Sequence, residues 1–206
     1  LAHVPDMLDF ARGLSTLANE ETIITIETPS FSTLIDKAFF DTIYHEHYSY
    51  LSAHSIDKIA KSVGLNLFHV DKLDTHGGSN RYWLSKTKKS NQSVTELLQE
   101  EVKAGILDPI KWADFKKQST QAIEGLRSWL VEKDSNGAKI VGYGAAHKGN
   151  TFLNAVGPMA KKIKYVVDAS PEKHGRFLPG SNIPVITPSS LAEVKPTDIL
   201  ILPWNI

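Results

Sequence analysis

The segment FDTIYHEHYSYLS, residues 40–52, concentrates the side chains of this chain that could move a proton. It holds three tyrosines, two histidines and a glutamate, and it follows a β-branched run typical of a buried strand. A histidine has an unperturbed pKa of about 6.5, so its ring can accept a proton at neutral pH, and a nearby carboxylate can stabilise the charged ring. A tyrosine hydroxyl can donate a hydrogen bond to an oxygen that becomes negatively charged. These residue types indicate removal of a proton next to a carbonyl group.

Two other interpretations of this segment stay open. In an extended segment His45 and His47 would point to the same side and Glu46 to the other, which would suit two metal ligands. Protein zinc sites need more ligands than two, and the spacing identifies no third histidine or carboxylate, so we predict no metal site. The histidines could also be polar groups that only complete hydrogen bonds of the fold.

The segment GYGAAHKG, residues 142–149, lies between a predicted strand and a predicted helix, where nucleotide-binding proteins hold phosphates. The third glycine of the fingerprint G-x-G-x-x-G would stand at His147, so the fingerprint is incomplete, although Asp168 ends the next strand where a ribose-binding acid is expected. Backbone amides at the helix start could bind an anion, or the glycines could only turn a strand into a helix. The polar residues near such an anion would be Lys148, Asn150 and Thr151.

Helix and strand patterns surround both segments. Apolar residues at helical spacing predict helices over residues 5–17 and 55–63, the second capped by Ser55, and two more between residues 94 and 134. β-Branched and apolar runs predict strands at 22–29, 65–73 and 81–86, the last two joined as a hairpin through the turn THGGSN. From residue 139 onwards strands alternate with helices. This order predicts an α/β fold with Rossmann-like parallel sheets.

Composition excludes several classes of protein. The chain has 206 residues, 41% hydrophobic and 22% charged, with 23 basic residues against 23 acidic ones, so nothing indicates a nucleic-acid partner. It has no cysteine, which removes disulfides and thiolate chemistry. No apolar run is long enough to span a bilayer and no signal peptide is recognisable, so we predict no membrane partner and a cytoplasmic location.

Five motifs in a fixed order resemble one enzyme family. LAHVPD, FDTIYHEHYSYLS, THGGSNR, GYGAAHKGNTFLN and LPWN together are similar to the sugar C-methyltransferases, which use S-adenosylmethionine to methylate carbon 3 of nucleotide-linked 4-keto-deoxy sugars. The resemblance covers essentially the whole chain. It implies a nucleotide-linked keto-sugar substrate.

The resemblance also implies a domain organisation. Residues 1–88 would be the second half of a class I methyltransferase domain, residues 89–136 a helical connector packing on the C-terminal domain, and residues 137–206 a Rossmann-like substrate-binding domain truncated at its end. The main loop for S-adenosylmethionine, and the zinc expected only in an N-terminal module, would lie outside this chain. We therefore expect the chain alone to be inactive.

The family's functional residues map onto positions of this chain. The resemblance implies that His47 is the base that removes the proton from carbon 3, that Tyr44 or His3 stabilises the enolate oxygen, and that Glu46 orients His47. It also implies a cleft to which the THGGSN turn contributes. The expected substrate-binding residues are Lys148, Asn150, Thr151, Gly144, Arg176, His76 and Ser79.

Two alternative functions remain compatible with the sequence. One is an NAD-linked oxidoreductase or epimerase, against which the missing third glycine argues. The other is a non-catalytic nucleotide-sugar or dinucleotide-binding Rossmann module, whose ligand affinity would not change when His47 is replaced by Asn. The sequence leaves the sugar, the nucleotide base and the oligomeric state open.

Overall fold

The computed structural model describes residues 2–204, which form two compact units. Within the described range, the first unit comprises residues 2–39 and 45–115, and the second comprises residues 40–44 and 116–204. The predicted proton-transfer segment is thus shared, because Phe40–Tyr44 belongs to the second unit and the residues from His45 onwards belong to the first. Among the described residues, no helix is long and apolar enough to cross a membrane.

Among the described residues, the first unit contains four α-helices and three strands, followed by the start of a fifth α-helix. The helices are α1 (Met7–Leu17), α2 (Phe31–Asp36), α3 (Ala53–Ser62) and α4 (Gln92–Lys103), and the strands are β1 (Ile24–Pro29), β2 (Asn66–Leu73) and β3 (Ser79–Ser85). Apolar side chains of α3 and of the sheet, among them Ile56, Leu67, Tyr82 and Leu84, form one buried core. This core fixes the sheet against α3.

The sheet of the first unit is antiparallel throughout, in the order β1-β3-β2. The predicted hairpin of β2 and β3 is confirmed, with Val70 opposite Tyr82. The prediction of parallel pairing does not hold for this sheet, because the hairpin places β3 between β1 and β2 and pairs it antiparallel with both. A short turn can join only antiparallel neighbours, which explains the pairing of β2 with β3.

The cap of α3 also differs from the prediction. Ser52, not Ser55, is the N-cap residue, and its hydroxyl accepts the backbone amide of Ser55 at 3.1 Å. The predicted cap was wrong because the helix begins at Ala53, before Ile56, the apolar residue from which the start was predicted. The Ser52 hydroxyl satisfies an amide that has no partner inside the helix.

The second unit carries the predicted parallel sheet. Its strands are β4 (Ile140–Tyr143), β5 (Ile163–Val167), β6 (Val185–Ile186) and β7 (Asp198–Ile201), in the order β6-β5-β4-β7 with parallel pairing throughout. Its helices are the long α5 (Pro109–Ser135), which starts in the first unit, α6 (His147–Val156) and α7 (Leu191–Val194). The buried core includes Leu130 of α5, Leu153 of α6 and Val166 of β5. The α/β fold class is confirmed.

Residues 89–136, predicted as a connector, divide between the units. Helix α4 contacts β2 and α3, so it belongs to the first unit, while α5 from Lys116 onwards belongs to the second. The buried residues of α4, Val94 and Leu97, join the core of the first unit.

Candidate functional site

His47 lies half-buried in the first unit beside two other rings. The ring centroids of His3 and His47 are 4.9 Å apart with their planes at 73°, and the ring of Tyr50 lies 5.6 Å from that of His47. The backbone amide of Tyr48 donates to the carbonyl of Ala2 at 2.8 Å, which holds the beginning of the chain against this loop. Two predicted residues that are distant in sequence are therefore neighbours, while Tyr50 was not predicted to belong to the site.

Tyr44 and Glu46 occupy different surroundings. Tyr44 is half-buried in the second unit, where its ring stacks on His147 with centroids 5.5 Å apart and planes at 24°. Glu46 is exposed. His147 begins α6, so the Tyr44 ring is held at the start of that helix.

His76 lies in the turn between β2 and β3, and Ser79 is the first residue of β3. His76 is exposed with a left-handed backbone, φ +57°, and the buried Ser79 hydroxyl donates to the carbonyl of Thr75 at 2.9 Å. The Glu27 carboxylate accepts hydrogen bonds from the Arg81 guanidinium and from the Thr75 hydroxyl. The bond from Arg81 is the main cause that holds the pKa of the Glu27 carboxyl below its usual value. The Ser79 hydroxyl is thus engaged within the turn.

The glycine-rich segment is shaped by the close approach of another segment. Gly144 has φ +87°, and a Cβ there would lie 2.5 Å from Cδ of Pro203; a Cβ on Gly149 would lie 2.5 Å from Cβ of Leu202. Any larger residue would displace residues 202–203. The glycines therefore serve the packing of that segment on the start of α6.

Asp168 ties the turn after β4 to the turn after β5. Its carboxylate accepts the amides of Ala145 at 2.7 Å and Ser170 at 2.8 Å, and the Lys173 ammonium donates to it at 2.9 Å. Burial opposes ionisation of Asp168, but the Lys173 hydrogen bond and the two amides outweigh it and hold its pKa below the usual value. This carboxylate is engaged by the protein itself, which argues against a ribose-binding role.

A cleft of about 190 Å³ opens beside the start of α6. Its lining includes His147, Asn150, Lys173, Arg176 and Phe177. Arg176 and Phe177 are exposed, Phe177 by 62%, and Oδ1 of Asn150 is buried without a hydrogen-bond partner among the described residues. The cleft therefore combines cationic, aromatic and amide groups.

The other predicted substrate-binding residues of the second unit lie elsewhere. Gly144, Lys148 and Thr151 are not among the residues that line the cleft. The Thr151 hydroxyl donates to the carbonyl of His147 at 3.1 Å within α6. Conversely, His147, Lys173 and Phe177 were not predicted to belong to the site, although His147 stood out as the residue in place of the third glycine.

Lys148 instead contacts Trp204, a partly exposed residue, next to the buried Asp41. Its Nζ lies 4.6 Å from the centroid of the Trp204 ring, and the Trp204 indole donates to Asp41 at 2.6 Å. Asp41 is only 4% exposed. Asn205, the last residue of the LPWN motif, and Leu1, the first of LAHVPD, lie outside the described residues.

A family model for the C-methyltransferase C-terminal domain matches residues 74–206 of the sequence. The chain belongs to the C-methyltransferase family. The C-methyltransferase NovU of Streptomyces niveus is 32% identical over 207 aligned residues, which cover 99% of this chain and 49% of the relative. This C-methyltransferase chain thus spans about half the length of the curated relative it matches. The predicted membership of a C-methyltransferase family is confirmed.

No metal site is evident in the described part of this C-methyltransferase chain. Residues 2–204 contain no group of three or more histidine, aspartate or glutamate side chains that could hold a metal ion. His3 and His47, although adjacent, are therefore not part of such a group.

The family implies S-adenosylmethionine, and the turn after β1 is one place in the first unit where backbone amides could hold it. Ser30 closes the turn after β1, because its amide donates to the carbonyl of Gly78 at 2.9 Å and its hydroxyl accepts the amide of Thr33 at 3.3 Å. These amides are engaged and do not form an open cradle. This turn therefore does not fit the cofactor, and we assign none of its residues to it.

Proposed function

We propose that the full-length protein transfers a methyl group from S-adenosylmethionine to carbon 3 of a nucleotide-linked 4-keto-deoxy sugar. The observation that carries this proposal is the edge-to-face contact of His3 and His47 at 4.9 Å in a member of the C-methyltransferase family. Methylation of a carbon requires that its proton be removed first, and an imidazole is the side chain best suited to remove it at neutral pH. The cofactor supplies an electrophilic methyl group.

In this proposal His47 is the base. A ring nitrogen of His47 takes the proton on carbon 3, and the electron pair of the broken C–H bond passes into the enolate, whose charge lies on the oxygen at carbon 4. Glu46, next to His47 in the sequence, would favour its protonated form. His3 packs against His47 and limits the orientations of its ring.

Tyr44 would stabilise the enolate oxygen. Its phenol can donate a hydrogen bond that strengthens as negative charge develops, which favours the transition state over the ground state. The stack on His147 limits rotation of the Tyr44 ring, so the donor is oriented before the substrate binds. His3 is the other predicted donor to this oxygen.

The cleft of the second unit would hold the nucleotide portion of the substrate. Arg176 is suited to a diphosphate, because its guanidinium can form two parallel hydrogen bonds to phosphate oxygens. The exposed Phe177 ring offers a surface on which a base can stack. The Asn150 amide oxygen, which has no hydrogen-bond partner among the described residues, can accept a hydrogen bond from the substrate. Contacts of the substrate with Gly144, Lys148, Thr151, His76 or Ser79, and the cytoplasmic location, stay predictions.

The test is proton exchange followed by methyl transfer. The full-length protein is incubated in deuterium oxide with nucleotide-linked 4-keto-deoxy sugars, and deuterium at carbon 3 is measured together with transfer from labelled S-adenosylmethionine. Loss of a positioned base costs on the order of a hundredfold or more, so His47→Asn should reduce both rates by that factor and leave sugar binding nearly unchanged. His45→Asn is the matched control and should retain both rates.

The outcomes separate the alternatives. Exchange and transfer that survive in His47→Asn would show that another residue is the base. Tight binding of the nucleotide sugar without exchange or transfer in the wild type would favour the non-catalytic module. Binding of NAD by the wild type would favour the oxidoreductase, against which the engagement of Asp168 by protein donors argues.

A further inference from the structure

The segment Phe40–Tyr44 is fastened at both ends to α6 within the second unit. At its beginning the Phe40 ring packs edge-on against Phe152, with centroids 5.2 Å apart and planes at 85°. At its end the Tyr44 ring stacks on His147. The segment therefore contacts the same helix at both ends, and the contacts of its middle residues add to this attachment.

Asp41, in the middle of this segment, is the most deeply buried polar part of the attachment. One carboxylate oxygen, Oδ2, accepts the indole N–H of Trp204 at 2.6 Å, a short charge-assisted hydrogen bond. The Lys148 ammonium lies over the same indole ring, 4.6 Å from its centroid. The carboxylate, the indole and the ammonium thus form one cluster drawn from three distant parts of the chain.

The opposite charges of Asp41 and Lys148 offset only part of the effect that burial has on the pKa of each group. Burial raises the pKa of the Asp41 carboxyl, while the Trp204 hydrogen bond and then the Lys148 charge act in the opposite direction. Burial lowers the pKa of the Lys148 ammonium, and the Asp41 charge opposes that shift. Nζ of Lys148 is buried and has no hydrogen-bond partner among the described residues. Each charge therefore depends on the other for its stabilisation in the interior.

Trp204 is itself held firmly. Residues 202–203 pack against Gly149 and Gly144, where no side chain larger than hydrogen would fit, and the Trp204 amide donates to the carbonyl of Leu202 at 3.1 Å. The indole that binds Asp41 therefore has a defined place relative to α6. The segment Phe40–Tyr44, which binds this indole through Asp41, is therefore also held in a defined place relative to α6.

We propose that Asp41 is a positioning residue for Tyr44, acting through the Trp204 indole and the Lys148 ammonium. The cluster holds the turn at residues 40–42 on α6, so that the Tyr44 ring stays stacked on His147. This inference rests on the proposed function, in which Tyr44 stabilises the enolate oxygen. It gives Lys148 a role in the protein interior instead of at the substrate.

A double-mutant cycle in the full-length protein tests this role. Asp41→Asn keeps an acceptor for the indole but removes the charge, and Lys148→Met removes the ammonium. Each is expected to lower kcat of methyl transfer by about 10- to 100-fold, with KM for the keto sugar changed by less than about threefold, because a displaced donor harms the transition state more than binding. The combined variant should lose less than the product of the two losses, since no unpaired buried charge remains.

Asp198→Asn is the matched control. Asp198 pairs with Lys133 at 2.6 Å in the same unit, where both side chains are partly exposed and neither belongs to the cluster, so this variant should keep kcat and KM. If Asp41→Asn does not fold, Trp204→Phe replaces it, because phenylalanine keeps an aromatic ring beside Lys148 and lacks the N–H donor, although its ring is smaller than the indole. The same separation of kcat from KM is then expected.

Three results would overturn the proposal. One is a change in kcat below about threefold in Asp41→Asn or its replacement. Another is a rise in KM of about tenfold or more in Lys148→Met with kcat retained, which would make Lys148 a substrate contact. The third is a combined variant whose loss equals the product of the single losses.

Fluorescence of Trp204 separates this inference from the proposed function. The Trp204 signal is the difference between a protein and its Trp204→Phe variant, and Asp41→Asn should make it more accessible to a soluble quencher. An unchanged Trp204 signal would contradict the positioning role even if the protein transfers no methyl group. Absence of transfer by the wild type, with the expected change in fluorescence, would contradict only the proposed reaction.

Discussion

Buried carboxylates have different structural roles in the two units. In the first unit, Glu101 of α4 is 1% exposed and accepts the backbone amides of Ala53 at 2.7 Å and His54 at 3.1 Å, with the His54 ring nitrogen Nδ1 at 2.7 Å. These amides begin α3, so Glu101 supplies acceptors that the helix itself cannot provide. Its partners belong to one helix start, and its task is to join α4 to α3.

In the second unit, Asp168 and Asp41 each face a lysine and connect loops instead of helices. Asp168 joins the turns after β4 and β5 beside the cleft, and Asp41 joins the segment 40–44 to Trp204. The ammonium groups involved are those of Lys173 and Lys148. Loops need such polar attachments because they lack the backbone ladder of a helix or sheet.

The difference indicates where a mutation should harm stability and where it should harm catalysis. A carboxylate that caps a helix contributes to the free energy of unfolding of its unit. A carboxylate that holds a loop beside a site contributes to the geometry of that site as well. Three further predictions test this contrast.

The largest loss of stability is expected for Glu101→Ala. The amides of Ala53 and His54 would lose their acceptor, at a cost of about 1–3 kcal/mol for each buried donor left without a partner. The free energy of unfolding from urea denaturation measures this loss, and kcat of the folded protein should stay unchanged.

Glu100→Ala is the control for this prediction, because Glu100 is the exposed neighbour that pairs with Lys72 at the surface. Its loss should stay below about 1 kcal/mol. Equal losses for Glu100→Ala and Glu101→Ala would remove the distinction between the buried cap and the surface pair.

Asp168→Asn should affect both stability and substrate affinity. The variant lacks the negative charge that pairs with Lys173, and its single amide oxygen can accept fewer hydrogen bonds than the carboxylate does. We therefore expect the free energy of unfolding to fall by about 1–3 kcal/mol at pH 7. Because the pKa of Asp168 is lowered in the folded state, its stabilisation is present above the unfolded-state pKa of about 3.9 and is lost as the pH falls through the folded-state value. KM for the nucleotide sugar should rise, since Lys173 lines the cleft.

The measurement is the free energy of unfolding as a function of pH. The wild type should lose stability more steeply than Asp168→Asn as the pH falls below about 4. Lys173→Met should lose part of the same acid-dependent stabilisation, because it removes the other half of the pair. If the free energy of unfolding of all three proteins depended on pH in the same way, this acid-dependent stability would not come from the pair of Asp168 and Lys173.

The smallest effect on stability is expected for Arg176→Gln. Arg176 is exposed, so the free energy of unfolding should change by less than about 0.5 kcal/mol. KM for the nucleotide sugar should nevertheless rise by about tenfold, the equivalent of one lost charge-assisted hydrogen bond to phosphate. Glu172→Gln, an exposed change nearby, is the control and should leave KM unchanged. A KM unaffected by Arg176→Gln would move the diphosphate away from this cleft.

Much of the local structure was predictable because it follows from short-range patterns. The periodicity of apolar residues indicated α3 and α4, and the turn THGGSN between two strand patterns indicated the hairpin of β2 and β3. The alternation after residue 139 indicated the parallel sheet of the second unit. The α3 cap and the antiparallel pairing of β1 were missed, because a serine nearby can cap equally well and a strand pattern does not state its neighbour.

The site was predictable only in its components. His47 and His3 were chosen from the family resemblance, and the structure places their rings together. Tyr50 and Phe177 were not found, since a single aromatic residue in a sequence usually belongs to a core. The division of residues 40–52 between two units had no signal in the sequence at all.

The sequence by itself determined the family, the helices and strands with strong periodicity, and the presence of histidines beside phenols, because these depend on residue types and on neighbours along the chain. Only the tertiary structure decided that Asp41, Lys148 and Trp204 form one cluster, that Asp168 is engaged by protein donors, and that two glycines make room for residues 202–203. These contacts join residues far apart along the chain, and burial sets their strength. Distance and burial are properties of the folded chain, which no local pattern of residues contains.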